Sequence, residues 1–234
     1  MKRKATAWLV TLTCLAALTV NARAADLFLL GYTGFDYEDP NSSPATYLDL
    51  GEGYRMVGFI TSVNPYYLTL DFTNNENTVV VGNPGELLVV ARFFTFPLLA
   101  VNCSNGHVRY YEDPKVGGAS NAIYGTNPPN ATVPSTFSDG TELLGGDMIG
   151  FSLTYDTSTN DGSWSATVNL NEGTQLSYIP PAQRAGWQMT GLLGRPNATV
   201  PQGYVNQTSG ECRIPDVTPT SVKTWGNIKS LYRR

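Results

Sequence analysis

The sequence predicts an all-β protein: an antiparallel β-sandwich, with jelly-roll and Ig-like strand orders both open, followed by a short C-terminal helix. The first observation behind this lies in residues 147–170. Ile149, Phe151, Leu153 and Tyr155 alternate with Gly150, Ser152 and Thr154, and Trp164, Ala166, Val168 and Leu170 alternate with Ser165, Thr167 and Asn169. Period-2 alternation marks strands with one buried and one wet face. The polar Thr157-Ser158-Thr159-Asn160-Asp161-Gly162 stretch between the two runs reads as a hairpin connection. The second observation is that Asn, Asp, Gly and Pro clusters cut the rest of the chain into short apolar runs. The third is length: the 234 residues, less an export segment, suit one β-sandwich or barrel of roughly 200–250 residues.

The export segment comes first. Lys2, Arg3 and Lys4 precede a mostly apolar stretch over 7–20, and Ala22 and Ala24 supply small residues two apart for a signal peptidase. Residues 1–24 read as a signal peptide cleaved after Ala24. The apolar run falls short of the ~20 residues of a membrane span. No transmembrane span is then expected after cleavage, and the destination is secreted, periplasmic or cell-surface.

Residues 25–214 form the predicted sandwich. A first strand covers 26–32, and a turn-rich loop follows from Asp36 to Pro44. Residues 54–63 are apolar enough for a buried strand, which Asn64-Pro65 ends. Tyr66, Leu68, Leu70 and Phe72 then alternate with polar residues in a half-buried strand, and 78–81 is short and β-branched. Residues 87–96 make a long apolar strand. Arg92 and Pro97 set it apart from a membrane segment. Residues 98–103 and 107–111 flank Asn105-Gly106, a pair suited to a type I′ hairpin turn. The stretch 112–146, with Pro114, Pro128, Pro129 and Pro134, is a long irregular connection and a natural place for a binding surface. A last strand lies around 187–193. Residues 215–221 read as a linker.

Two segments recur. Tyr37-Glu38-Asp39-Pro40 returns as Tyr111-Glu112-Asp113-Pro114, and Pro129-Asn130-Ala131-Thr132-Val133-Pro134 returns at 196–201. The spacings differ, so they define no tandem period. Reused turn chemistry is the simpler explanation. In composition the chain resembles exported bacterial surface proteins, low in charge and rich in Gly, Thr, Asn and Tyr. That likeness implies no catalytic assignment.

Residues 222–234 form a basic amphipathic tail. Val222, Trp225, Ile228, Leu231 and Tyr232 recur at helical spacing, Lys229 lies on the polar side, and Ser221 can cap the N-terminus. Docking, sorting and membrane contact are the three roles such a tail could serve. The whole chain has 15 basic and 19 acidic residues. Four of the basic ones lie in the signal and four in the last twelve residues, so the body carries 7 against 19, a net −12. Such a body repels nucleic acid and anionic membrane.

Loss of Cys14 with the signal leaves Cys103 and Cys212, an even pair that predicts one disulfide in an oxidising compartment. Closing so long a loop would stabilise by about 4–5 kcal/mol in the chain-entropy picture. The single histidine, His107, leaves Ser-His-Asp, Cys-His and histidine-metal chemistry without partners. Glycoside hydrolysis needs two facing carboxylates, and the acids sit mainly at predicted turns. No cofactor is implied. Calcium is the one metal worth carrying, with Asp36, Glu38, Asp39, Glu112 and Asp113 as candidate oxygen ligands. Asp156–Gly162 fails as an EF-hand, because its glycine is one place late and Thr167 stands where the bidentate Glu belongs. Tyr67, Tyr110 and Tyr111 are candidate ligand contacts on strand faces.

The expectation is an exported, non-catalytic β-sandwich protein, structural or ligand-binding, with a surface or extracellular partner that includes glycans among the candidates. The alternative is a carbohydrate-binding module or glycoside hydrolase on the same fold.

Overall fold

The computed structural model describes residues 27–39, 53–82, 89–95, 97–103, 105–115, 134–194, 200–201 and 203–214, with backbone alone for 27, 38–39, 89–95 and 134–135. The signal segment, the linker and the tail with Trp225, Lys229, Leu231 and Tyr232 lie outside the described residues. From Phe28 onward the described chain belongs to one compact unit, Phe28–Pro215.

Ten strands form: β1 Leu27–Asp39, β2 Gly53–Val63, β3 Asn75–Val81, β4 Val89–Thr95, β5 Leu98–Cys103, β6 His107–Pro114, β7 Thr141–Asp156, β8 Asp161–Glu172, β9 Trp187–Gly194 and β10 Asn206–Ile214. Three 3-10 helices, Pro134–Phe137, Leu176–Tyr178 and Pro181–Gln183, are the described helical turns. The all-β expectation holds. The two-layer sandwich does not: the sheet runs β4-β5-β7-β6-β3-β2-β1-β10-β9-β8, and β7 pairs with β8 as well, which closes eight strands into an antiparallel barrel. The physical reason is β7. Its first half pairs with β6 on one side, its second half pairs with β5 on that same side, and β8 follows it along the other side from Gly145 to Asp156. One long strand thus serves the ring and also carries the β4–β5 extension.

Between the halves of β7 the register slips from Ile149 to Phe151, and Gly150 takes φ 65°. A β-bulge of this kind bends a strand where a barrel turns, and only glycine adopts that φ without strain. The slip has a direct consequence. Met148, Phe151, Leu153 and Tyr155 point inward at 2–4 % exposure or less, while Ile149 is 53 % exposed. The alternation rule alone puts Ile149 in the core; the bulge turns it out.

Eight strands leave an interior just wide enough for side chains to fill, and contacts between non-neighbouring strands show that they fill it. Tyr54 on β2 meets Phe151 on β7 with ring centroids 4.9 Å apart, and Phe151 in turn stacks at 5.3 Å on Trp164 of the adjacent β8. Tyr110 on β6 reaches Met189 on β9, and the Tyr155 hydroxyl donates to Asn206 Oδ1 at 3.0 Å. Asp36 belongs to this interior. It sits in a strand, wholly buried, and accepts from the Asn206 backbone N–H at 2.7 Å. The expected turn position for Asp36 is therefore corrected: β1 runs on to Asp39, and β6 likewise carries Glu112 and Asp113 within a strand.

The expected strand over 66–72 is also corrected. After β2 the chain turns, with Tyr67 N–H and Leu68 N–H both donating to Asn64 O. Tyr67 and Leu68 go under one end of the barrel, where Tyr67 packs edge-on against Trp187, while Tyr66 stays 72 % exposed.

A second, smaller apolar layer lies outside the ring. Tyr37, Val57, Phe137 and Tyr204 form a buried cluster with Phe35, Phe59, Val80 and Val200 around it. Thr78 Oγ1 donates to Phe137 O at 2.6 Å and fixes the Pro134–Phe137 turn over β3. Both faces of β1–β3 are thus covered, which explains consecutive buried residues such as Met56 and Val57.

The structure holds Cys103 and Cys212 without a bond between them. Both are buried thiols, held on β5 and β10. β5 pairs with β4 and β7, and β10 lies between β9 and β1, so no ladder brings the two together. Alkylation without reductant is expected to modify neither thiol in the folded protein and both after denaturation, read by intact mass. A denatured chain that takes up no adduct would restore the disulfide.

Candidate functional site

On the side of the barrel away from the outer apolar cluster, the outward residues of β7–β10 form a regular grid. Register places Ser152, Ser165, Thr190 and Glu211 opposite one another across four strands. Two residues along, Thr154, Ser163, Leu192 and Ser209 do the same. Strands lie ~4.8 Å apart and rows about 6.7 Å apart by strand geometry. An open groove of about 660 Å³ runs over these two rows. A second depression of about 530 Å³ continues it past Leu98 towards Asp156 and Asp161.

The reason the grid exists is the same alternation that fills the core. On β7, β8 and β9 each outward hydroxyl is flanked along its strand by an inward Phe151, Leu153, Trp164, Ala166 or Met189, and Ser209 on β10 by the buried Thr208. The groove floor is thin over β9. Gly191 lies opposite Trp164, and a side chain there would meet the indole Cε2 at 2.5 Å and the Tyr32 hydroxyl at 2.8 Å. Tyr32 is pinned in place by donating to Thr190 O at 2.7 Å. The one carboxylate in the groove, Glu211, faces Arg213 at 2.6 Å. The two rows offer side-chain hydroxyls that both donate and accept, one exposed leucine and a carboxylate matched by an arginine, while the continuation adds the exposed Leu98 and the carboxylates of Asp156 and Asp161.

A second cluster lies on the outer face of β6–β8. Arg109 Nε reaches Glu172 Oε1 at 3.0 Å and Glu142 Oε2 at 3.6 Å. His107 Nδ1 stands 3.4 Å from Asp147 Oδ1, whose other oxygen accepts from Asn171 Nδ2 at 2.7 Å. Gly145 makes this possible. It lies on β7 between Arg109 and Glu172, and a methyl there would meet Glu172 Cγ at 2.8 Å and Arg109 Cγ at 3.2 Å. Burial, then the neighbouring Glu172, hold the Glu142 carboxyl above the usual range. Burial opposes the Arg109 charge, yet Glu172, Tyr111 and Glu142 together raise its pKa. Two carboxylates share one guanidinium, which makes the cluster a brace across three strands. Gly145→Ala is expected to cost about 1 kcal/mol or less, the scale of a partly exposed ion pair, and to flatten the salt dependence of thermal unfolding. A melting temperature as salt-sensitive as wild type would remove the brace.

The structure scatters the other predicted site residues. Tyr67 and Tyr110 are buried at 3 % and 0 %, so the expected ligand contacts are core residues. Tyr111 is half-buried beside Arg109. The candidate calcium ligands lie on two strands, Asp36, Glu38 and Asp39 on β1 paired with β2, and Glu112 and Asp113 on β6 paired with β3; the side chains of Glu38 and Asp39 lie outside the described residues. Among the described residues no group of three or more His, Cys, Asp or Glu side chains is placed to hold a metal ion. Asp156 is engaged by the hairpin itself, accepting from Ser158 N–H at 2.8 Å and Ser158 Oγ at 2.6 Å. Those bonds hold its carboxyl below the usual range.

The hydroxyl grid escapes sequence reasoning because its members lie on four strands. Alternation marks each as outward, and only the register makes them neighbours. In comparisons with protein-family models, curated proteins and solved structures, nothing matches the chain.

Proposed function

We propose that this is an exported, non-catalytic β-protein that works by binding, with the outer face of β7–β10 as its contact surface. One observation carries the reading: in a body of net charge −12, this groove is lined by exposed hydroxyls and holds a single carboxylate that faces an arginine. A groove of this size falls in the range of ligand sites. The outer apolar cluster covers β1–β3, while Ser152, Thr154, Ser163 and Thr190 stay exposed. The polarity of these strands, apolar inward and hydroxyl outward, runs opposite to that of a lipid-facing barrel. Export rests on the signal-like start, and the basic tail suits attachment or sorting at the destination.

A hydrolase reading has one observation in its favour, the raised Glu142 beside Glu172. Paired screens on the purified exported chain separate the two: hydrolysis of a panel of glycosidic substrates, and binding to glycans, peptides and envelope fractions. Binding without turnover, lost in Thr190→Lys, is the expected outcome. Turnover that vanishes in Glu142→Gln would replace this reading with the enzyme.

A further inference from the structure

We infer that the ligand of the β7–β10 face is a neutral polysaccharide chain lying across the strands, along the two hydroxyl rows. The inference rests on the contact-surface reading above and names what the surface takes.

The chemistry of the rows selects the class. A serine or threonine hydroxyl donates one hydrogen bond and accepts others, which matches the hydroxyls of a sugar and needs no countercharge. Ser152, Ser165 and Thr190 supply one row, and Thr154, Ser163 and Ser209 the other. All six are exposed. An anionic polymer would meet the net −12 body and be repelled. A cationic one is drawn to the acidic body as a whole, but within the two rows its one countercharge is Glu211, already facing Arg213 at 2.6 Å. A neutral hydroxylated chain meets neither obstacle.

The geometry adds direction. Strand spacing of ~4.8 Å is about the length of one sugar ring in an extended chain, so successive rings meet successive strands. Four strands span roughly 14 Å, enough for about three rings. Leu192, 67 % exposed in the middle of the second row, presents an apolar surface to the C–H face of a ring. The rows lie on a rigid, core-backed sheet, so little ordering of the protein opposes binding.

The probes are neutral glucan, mannan and galactan oligosaccharides of graded length, with a uronate polymer alongside, titrated calorimetrically into the full exported chain. Affinity is expected to rise with chain length and level off at about three to four rings, with no binding of the uronate polymer. The double variant Ser165→Ala, Thr190→Val removes two hydroxyls at exposed positions. It is expected to weaken binding about tenfold, the loss of two modest hydrogen bonds. Leu192→Ser should weaken it as well, and Ser177→Ala, in the Leu176–Tyr178 turn away from the grid, should leave it unchanged.

If no neutral saccharide binds but Thr190→Lys abolishes capture of a peptide, the glycan assignment falls and the contact surface stands. If saccharides bind and the double variant, folded by circular dichroism, binds equally well, both fall. If nothing binds, both fall too.

Discussion

Phe151→Ala is expected to destabilise the protein by about 3–5 kcal/mol, while Ile149→Ala, two residues upstream on the same strand, changes stability by about 0.5 kcal/mol or less. Phe151 is 2 % exposed, stacks on Trp164 and packs against Tyr54 from the far side of the ring. Truncating it opens a cavity between two rings, Tyr54 on β2 and Trp164 on β8, that are held by different strands and cannot both collapse inward. Ile149 stands outside the bulge at 53 % exposure, so its removal takes little from the core. Urea unfolding of the two variants measures the contrast. Equal losses would mean that residues 149 and 151 share a face, and that the strand runs straight through Gly150.

That contrast shows how far the fold can be read from sequence. Strand identity in 147–170 follows from alternation, and Phe151, Leu153, Tyr155, Trp164, Val168 and Leu170 are all core residues as alternation requires. What alternation cannot reveal is a register slip at one glycine, because Gly fits a wet strand position as well as a bulge. Closure is hidden for a related reason. A sandwich and a barrel have the same strands with the same inward faces, and they differ in which edges pair. The partner change along β7 is a long-range event that no local pattern encodes. Tyr66–Phe72 shows the opposite failure: a perfect alternation overridden by Asn64-Pro65, whose turn sends Tyr67 beneath the barrel.

The repeated hexapeptide is more informative than its chemistry suggests. In each copy an aromatic stands three residues after the final proline, Phe137 after Pro134 and Tyr204 after Pro201. Both aromatics enter the same buried cluster outside β1–β3. Each copy of the repeat is thus followed by an aromatic that packs onto that sheet face, a link visible in the sequence as a repeat and interpretable only once the cluster is known. Covering that face leaves β7–β10 as the face whose hydroxyls meet solvent. The grid and the repeat are two sides of one arrangement.

The last expected result is steep alkaline unfolding that begins near pH 9. Burial, opposed in part by Tyr110 and helped by Glu211, raises the Cys212 thiol from 9.0 to about 12. Burial likewise raises the Tyr110 phenol, with Cys212 adding to it, and the Tyr54 phenol, with Asp36 adding to it. In each case the folded protein keeps a proton that the unfolded chain has lost. Between the two pKa values the unfolded state binds fewer protons, so stability falls as pH rises. The contribution is complete below pH 9.0, and for Cys212 roughly 4 kcal/mol is lost by about pH 12. The tyrosines act with the same sign from near pH 10 upward. Urea midpoints at about pH 8, 9.5 and 11 should therefore fall at an increasing rate. Tyrosinate absorbance from the buried rings should appear together with unfolding and not before it. Cys212→Ser removes the earliest titrating group and should leave the midpoint flat until the tyrosines take over. A wild-type midpoint unchanged up to about pH 11 would mean that Cys212 and the buried phenols meet water, and that the barrel interior is not the dry, filled core on which the outward hydroxyl face depends.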